Sequence, residues 1–292
     1  MTQGVNPVAQ QRRLRAELRR LREAASMTQQ QVASNLEWSL SKVIRIETGV
    51  VGISLTDLRA MLYEYGVTER DRINELADMA RASRQEAWWD KYRPHFDREF
   101  ITYLGLEASA TIIRQFQNLV IPGLLQTPDY ARVVIDLFSD DDKLDEVNIL
   151  VQTRVERQRR LTEEPGPKMF FVVDESTIRR LIGGPAVMRE QLNRLKELNA
   201  KPNISIQVIP FGRGAHVGMR ESFEVMEFTG GDDDYAVSLD RIKSSLIQND
   251  PEASSEWVER FYELENLAEP ASQLDAMIDR VLAETFDEHT AP

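Results

Sequence analysis

The sequence predicts a mostly helical protein with a smaller α/β part. Apolar residues recur at helical spacing from residue 10 to residue 89, which indicates five helices. Short runs of β-forming residues then alternate with helical stretches, and two amphipathic helices close the chain. Such alternation predicts an α+β domain with a small mixed sheet and terminal helices. We therefore expect a five-helix domain containing a helix-turn-helix at residues 1–82, a linker at 83–100 and an α+β domain at 101–292.

The first helix is predicted from an apolar stripe. Leu14, Leu18 and Leu21 lie three or four residues apart and would form its buried face. We expect this helix to run from about Gln10 to Ala25, after a flexible lead-in at residues 1–9.

Helices two and three are predicted from their caps and from the short connection between them. Thr28 and Gln31 form a capping box, in which the Thr28 hydroxyl accepts from the Gln31 backbone N–H and the Gln31 side chain reaches back. Ser39 offers a second N-cap, and Gly49 stands where a left-handed residue commonly ends a helix. Two helices of about two turns joined so briefly are typical of a helix-turn-helix. The apolar residues that follow the caps at helical spacing are Val32, Ala33, Leu36, Leu40, Val43 and Ile46.

Two more helices complete the first domain. Ser54–Asp57 is a capping start for helix four, which Gly66 ends. Thr68 starts a fifth helix that continues towards Trp89, and residues 90–100 connect it to the second domain.

The second domain is predicted to hold short strands between helices. Strands are expected at Met169–Val173, Ile204–Ile209, Phe223–Phe228 and Tyr235–Leu239, and Ile112–Leu119 is either a strand or a helix end. Helices are expected from Pro128, over Leu144–Leu161, after Asp174, over Val187–Leu198, and over about Glu252–Leu267 and Ala271–Phe286, split at Pro270.

Charge is distributed unevenly along the chain. The whole carries 36 Lys and Arg against 48 Asp and Glu, a net charge of −12. Residues 1–60 hold nine basic and five acidic side chains, which is +4, so −16 remains for residues 61–292. Phosphate contacts are local, because charges are screened beyond about 8 Å at physiological salt. We expect the basic segment to approach nucleic acid while the acidic remainder is repelled from it. The alternative is that Arg12–Arg22 is an ordinary solvated helix face.

Composition excludes several classes of protein and site. The chain has no cysteine, so disulfides and thiolate metal sites are excluded, and a reducing compartment is expected. Its first residues lack the apolar run of a signal peptide, and no stretch approaches roughly 18 consecutive apolar residues. We expect a cytoplasmic, nucleoid-associated protein with no membrane contact, no metal and no cofactor.

The run from Leu21 to Gly49 resembles the Xre/lambda-repressor-type helix-turn-helix. The resemblance is carried by Leu21-Arg22, Thr28-Gln29, Val32-Ala33 and Ile46-Glu47-Thr48-Gly49. It implies that Arg22 pairs with Glu47 and ties the first helix to the third. The alternative is that both are solvated surface charges.

The same resemblance implies a DNA-binding surface on helices two and three. Gln29 and Ser39 correspond to residues that contact backbone phosphates at the two helix starts, and Lys42 lies on the flank near the backbone. Arg45 is expected to read a base, because a bidentate guanidinium–guanine contact is the commonest specific pairing. Ile44 would either pack on a thymine methyl or belong to the core. The predicted DNA-binding residues are Thr28, Gln29, Ser39, Leu40, Ser41, Lys42, Ile44 and Arg45.

A dimer is expected, because one such module buries too little surface for tight site-specific binding. Its two copies would read half-sites about one helical turn apart. The terminal helices are candidates for the dimer contact, and the alternative is that they pack on their own domain. The residues concerned are Trp257, Phe261, Tyr262, Leu264, Leu267, Leu274, Ile278 and Leu282.

The second domain is similar to the WhiJ-like, antitoxin-like group of actinobacterial Xre regulators. The segments that carry this similarity are Trp88–Tyr92, Ile121–Arg132, Arg154–Gln158, Val173–Arg179 and Ile206–Phe211. The resemblance implies a transcriptional regulator, expected to be a repressor, whose carboxy-terminal domain has no assigned activity. It also implies a small BldB-like partner protein.

Three functions stay open for the second domain. The first is dimerisation together with binding of a small protein. The second is ligand sensing in a pocket near the strand ends, where the loop Gly212–Gly218 could cradle an anion through backbone N–H groups or simply connect two strands.

The third function is catalysis, for which the residues offer little. His95, His216 and His289 are far apart in sequence, and no metal pair, nucleophile elbow or phosphate loop is present. Asp174-Glu175 suits a helix cap better than an acid–base pair, and Asp232–Asp234 lacks the spacing of a calcium loop. We expect no enzymatic activity.

Overall fold

The computed structural model describes residues 6–138, 144–162, 166–228, 235–241, 244–248 and 251–286. His289 and the predicted turn Asp232–Asp234 lie outside these residues. The chain divides into two compact units. The first comprises Met1–Lys91, Leu104–Ser109 and Phe228–Asp234, and the second comprises Tyr92–Tyr103, Ala110–Glu227 and Tyr235–Pro292. The predicted fold class, mostly α with a smaller α/β part, is confirmed.

Five helices surround one apolar core in the first unit. They are α1 (Pro7–Ala24), α2 (Gln29–Asn35), α3 (Leu40–Glu47), α4 (Leu55–Glu64) and α5 (Arg70–Ala82). Each helix contributes side chains that are almost fully removed from water, among them Leu18, Val32, Val43, Leu58 and Leu76. Burial of this apolar area is the main favourable contribution to the stability of the unit.

Caps define the helix ends of the helix-turn-helix as predicted. The Thr28 hydroxyl accepts from the Gln31 backbone N–H at 3.2 Å, and the Gln31 side chain accepts from the Thr28 N–H at 2.8 Å. The Ser39 hydroxyl accepts from the Lys42 N–H at 3.2 Å. Gly49 follows α3 with φ +75°, a left-handed conformation that favours glycine.

The predicted lead-in is wrong for residues 7–9, which belong to α1. The Asn6 side chain accepts from the Val8 and Ala9 N–H groups at 3.0 and 3.2 Å. Pro7 occupies the first helical position, where its missing N–H costs nothing. Cap and proline together therefore start the helix before its apolar stripe begins.

Helix α5 ends at Ala82 instead of continuing towards Trp89. The residues after it, 83–86, are Ser-Arg-Gln-Glu and include no apolar side chain that could extend the buried face. Since helices in proteins are stabilised mainly by packing of an apolar face, the helix stops where that face ends.

Helix α6 (Arg98–Glu107) was not predicted and begins inside the segment expected to be a linker. The Asp97 side chain accepts from the Phe100 N–H at 2.7 Å, which is an N-cap interaction. The signal was present in the sequence as Asp97 followed by Ile101 and Leu104 at helical spacing.

The second unit is built on a six-stranded mixed sheet in the order β3-β2-β1-β4-β5-β6. The strands are β1 (Ile112–Gln117), β2 (Lys168–Asp174), β3 (Ile204–Ile209), β4 (Phe223–Glu227), β5 (Tyr235–Arg241) and β6 (Ser244–Gln248). Strands β1, β2 and β3 are parallel to one another. The pairs β1–β4, β4–β5 and β5–β6 are antiparallel. Strand β6 was not predicted, because Leu246 and Ile247 are its only apolar residues and show no alternation.

Helices connect and cover the strands. They are α7 (Pro128–Phe138), α8 (Leu144–Thr162), α9 (Glu175–Arg179), α10 (Gly184–Asn199), α11 (Pro251–Leu267) and α12 (Leu274–Phe286). Phe261 and Leu264 of α11 lie in one core with Phe116 of β1 and Val225 of β4. Leu274 and Ile278 of α12 are also buried. The buried members of the terminal helices therefore pack on their own unit.

Among the described residues, no helix is both long and apolar enough to span a lipid bilayer.

Candidate DNA-binding surface

Helix α3 has one buried face and one exposed face. Val43 and Ile46 are 0 % and 3 % exposed and join the core. Leu40 and Ile44 are 36 % and 37 % exposed, and Ser41 and Arg45 are exposed as well. Ile44 therefore belongs to the outer face of the helix and not to the core. An apolar side chain of this exposure can make contact with a thymine methyl group.

Arg45 is the free cation of this outer face. Its side chain is exposed, and it forms no ion pair or side-chain hydrogen bond with any residue in the described part of the chain. By contrast, two exposed arginines of α1 are engaged: Arg19 pairs with Glu23 at 3.0 Å and Arg20 pairs with Glu17 at 2.9 Å. The five donors of the Arg45 guanidinium are thus available to an external acceptor.

Two residues that the sequence does not predict to be part of this surface hold the Lys42 side chain in place. Its Nζ lies 2.9 Å from the Asp57 carboxylate and 3.5 Å from the centre of the Trp38 ring. The ion pair and the cation–π contact fix the position of the ammonium group beside α3. Trp38 lies four residues before Lys42, a separation that brings side chains together within a helix. Because Trp38 precedes α3, this spacing does not predict the contact.

The Glu47 carboxylate connects three segments of the helix-turn-helix. It accepts from Arg22 Nε at 2.8 Å and from Gln29 Nε2 at 2.8 Å, one bond to each oxygen. Arg22 also donates to the Met27 carbonyl at 2.9 Å. The Arg22 and Glu47 side chains are only 11 % and 3 % exposed. The pair is therefore buried and hydrogen-bonded, unlike two solvated surface charges.

This network perturbs the groups around it. The hydrogen bond to Glu47 raises the pKa of the Arg22 guanidinium above its usual value. Burial, followed by the charge of Glu47, raises the pKa of Tyr65. Gln29, expected to anchor a phosphate, donates one amide hydrogen to Glu47 and keeps a second one for another acceptor.

The structure brings two of the candidate catalytic residues of the second unit together, Asp174 and His216, and leaves His95 apart from them. The Asp174 side chain caps α9 by accepting from the Ser176 N–H at 2.9 Å, and Glu175 accepts from the Phe211 N–H at 2.7 Å. His216 is buried beside Asp174, whereas His95 is exposed. No group of three potential metal ligands occurs among the described residues.

Two of the segments that carry the resemblance of the second domain are joined by hydrogen bonds. The Gln158 side chain donates to the carbonyls of Gly123 and Gln126 at 2.7 and 2.9 Å. Gln126 in turn donates to the Ile121 carbonyl at 2.7 Å, and the Tyr130 hydroxyl accepts from the Ile121 N–H at 3.2 Å. The polar residues of these segments therefore maintain a turn between β1 and α7.

Comparison with known families agrees with this geometry. A family model described as a helix-turn-helix domain matches residues 13–76. That match and the exposed face of α3 define the class: a DNA-binding regulator of the helix-turn-helix type. A second family model, the domain of unknown function DUF5753, matches residues 100–280, and the chain belongs to this family. Searches of curated proteins and of solved structures found no match.

Proposed function

We propose that this protein is a sequence-specific transcriptional repressor that binds double-stranded DNA as a dimer. The observation that carries the proposal is the outer face of α3, where Leu40, Ser41, Ile44 and Arg45 are exposed on a helix anchored by the buried Arg22–Glu47 pair. A helix whose outer face combines a guanidinium, a hydroxyl and two apolar side chains has the size and chemistry to enter a major groove, where it can contact base edges and thymine methyl groups.

The remaining predicted residues suit the sugar–phosphate backbone. Thr28 and Ser39 cap α2 and α3, so the backbone N–H groups next to them point out of the helix starts. The spare amide hydrogen of Gln29 and the fixed ammonium group of Lys42 add two further donors. Such contacts orient a protein on DNA without reading its sequence.

Arg45→Ala tests the proposed base contact. We expect the substitution to cost about 1–3 kcal/mol of binding free energy on the operator and to relax selectivity at one base position. Selection from a random DNA library, followed by titration on the selected site and on single-base variants, measures both effects.

The matched control is Arg59→Ala, because Arg59 is an exposed arginine of the same unit on α4. It should change affinity only slightly and leave selectivity intact. If Arg45→Ala weakens binding equally on every DNA sequence, Arg45 contacts phosphate and the proposed base contact is wrong.

We include two finer features in the proposal. Dimerisation is supported by the small contact area of a single helix-turn-helix module. A small BldB-like protein partner is supported by the resemblance of the second domain. Light scattering on the purified chain and identification of co-purifying proteins test the two features separately.

Ligand sensing is a second candidate function for the carboxy-terminal unit. A cavity of about 510 Å³ is lined by the end of the loop that includes Gly212–Gly218, by the residues that follow it and by α11. This volume is within the range of small-molecule sites in proteins, which is about 300–1,000 Å³.

A further inference from the structure

We propose that this cavity of the second unit binds a small aromatic carboxylate. Its lining residues are His216, Val217, Met219, Arg220, Glu221, Phe223, Trp257 and Arg260. All of them belong to the second unit, so the proposal does not depend on DNA binding by the first.

The cavity lies at the edge of the sheet where ligands commonly bind. Strands β1, β2 and β3 are parallel, so their carboxyl ends share one edge. Strand β4 runs antiparallel to β1 and begins at this edge with Phe223, which pairs with Leu239 of β5. In open α/β sheets, ligands bind outside the carboxyl ends of the strands, next to a change in strand order.

One wall of the cavity is apolar and aromatic. The rings of Phe223 and Trp257 lie 5.0 Å apart, centre to centre. Val217 and Met219 remain 51 % and 64 % exposed, which is unusual for large apolar side chains in this unit. A flat apolar group placed here would stack on the aromatic pair and remove Val217 and Met219 from water.

The cavity also has a net positive charge within an acidic part of the chain. Arg260 lies over the Trp257 ring, with its guanidinium carbon 4.5 Å from the ring centre, and it forms no ion pair with a described residue. Arg220 is 83 % exposed and is 4.0 Å from Glu221, the one acid in the lining. Two guanidinium groups against one carboxylate favour an anionic ligand, and a guanidinium fork fits a carboxylate in bidentate geometry.

His216 supplies a second, independent observation. Its side chain is 2 % exposed, and Nε2 lies 3.1 Å from the Asp174 carboxylate. The other ring nitrogen, Nδ1, is buried and has no hydrogen-bond partner among the described residues. A buried polar atom without a partner is costly, and a polar group on a bound ligand would relieve that cost.

Calorimetric titration of the full chain in the absence of DNA tests the proposal. The probes are phenylacetate, 4-hydroxyphenylacetate and cinnamate, with phenylacetamide as the uncharged counterpart. We expect saturable binding of at least one carboxylate and at least tenfold weaker binding of the amide. Arg260→Met should weaken carboxylate binding at least tenfold, and Arg260→Lys should restore part of the loss because it retains the charge.

The matched control is Arg280→Met, an exposed arginine of α12 outside the cavity, which should bind as the parent does. If the Arg260→Met protein unfolds at a lower temperature than the parent, Arg220→Met is used instead. The Arg220 side chain is 83 % exposed and therefore contributes little to folding stability.

The proposal is overturned if no carboxylate binds at millimolar concentration, or if carboxylate and amide bind equally. It is also overturned if neither arginine substitution changes affinity. Because the titration contains no DNA and its variants lie in the second unit, its failure would leave the DNA-binding proposal unaffected. Failure of DNA binding would likewise leave carboxylate binding unaffected.

Discussion

Glu47 links the first three helices through its two carboxylate oxygens. Both of its oxygens accept hydrogen bonds, from Arg22 on α1 and from Gln29 on α2. Removal of one member of a buried ion pair leaves the other charge desolvated and unpaired. Glu47 therefore holds the three helices in a fixed arrangement and fixes the end of α3.

A double-mutant cycle measures the coupling within this pair. We expect Arg22→Ala and Glu47→Ala each to lower the free energy of unfolding by about 3–5 kcal/mol, because each strands a buried charge. The double substitution should cost clearly less than the sum of the two. Urea denaturation of all four proteins gives the coupling energy.

The control is the exposed pair Asp78–Arg81 on α5, whose side chains are 73 % and 52 % exposed. Its coupling energy should be at most about 0.5 kcal/mol, the range of exposed pairs on one helix. Simple additivity at Arg22 and Glu47 would show that the hydrogen bond between them contributes no specific stability.

Two isoleucines of α3 that look equivalent in the sequence differ in their exposure to solvent. Ile44 and Ile46 are two apolar residues of one short helix, yet one is 37 % exposed and the other 3 %. A helix of eight residues makes little more than two turns, so its 3.6-residue period does not define the edge of the buried face to within one residue. The sequence is therefore compatible with Ile44 in the core and with Ile44 on the outer face. Packing against the other helices decides between them.

Helix α3 is limited at both ends by local chemistry that could be predicted. Ser39 caps its start, and Gly49 follows its end at φ +75°. Arg15 of α1 crosses this end and donates to the Thr48 carbonyl at 2.7 Å. A Cβ atom at position 49 would overlap the Arg15 side chain, so the glycine permits both the turn and the close approach of α1.

Gly49→Ala should destabilise the first unit. We expect a loss of about 1–2 kcal/mol from the left-handed backbone alone, and a further loss from displacement of Arg15. The thermal unfolding transition of the variant measures this loss. Gly52→Ala is the control, because a Cβ atom there meets no neighbour within 4 Å and its φ is not left-handed. Equal effects at both positions would contradict the role given to Gly49.

Elements that depend on distant partners were harder to predict. Strand β6 has only two apolar residues, and it is formed by pairing with β5, whose residues Val237 to Arg241 align with it. The β6 sequence has no alternation of apolar and polar residues, so the strand is stabilised by its hydrogen bonds to β5 and not by its own pattern. Helix α6 differs in that it begins at Arg98, inside the segment that the sequence predicts to be a linker, and its cap is the single residue Asp97.

For the molecule as a whole, the uneven charge and the small DNA-binding unit suggest how it would act on DNA. Residues 1–60 carry a net charge of +4 and residues 61–292 carry −16, so we expect the phosphate contacts to lie in the first unit and a single copy to bind weakly. Two copies on adjacent half-sites would multiply their affinities through a high effective concentration.

Spacing between half-sites tests this dimeric arrangement. Inserting about 5 base pairs between the half-sites of a selected operator should place them on opposite faces of the duplex and abolish tight binding, whereas about 10 base pairs should restore part of it. Gel retardation on the three operators gives the comparison. Equal affinity on all three would mean that single copies bind independently.

The capped helices, the order of elements and the apolar faces of this protein could be read from its residues, because caps, turns and periodicity act over three or four neighbouring positions. Three features could not be predicted in that way. They are the hydrogen bond between Gln29 and Glu47, the position of Lys42 between Trp38 and Asp57, and the cavity lined by His216, Trp257 and Arg260. Apart from the contact of Lys42 with Trp38, which lies four residues before it, these contacts join residues 15 to 44 positions apart. Only the packing of the folded chain decides which of many compatible side chains meet.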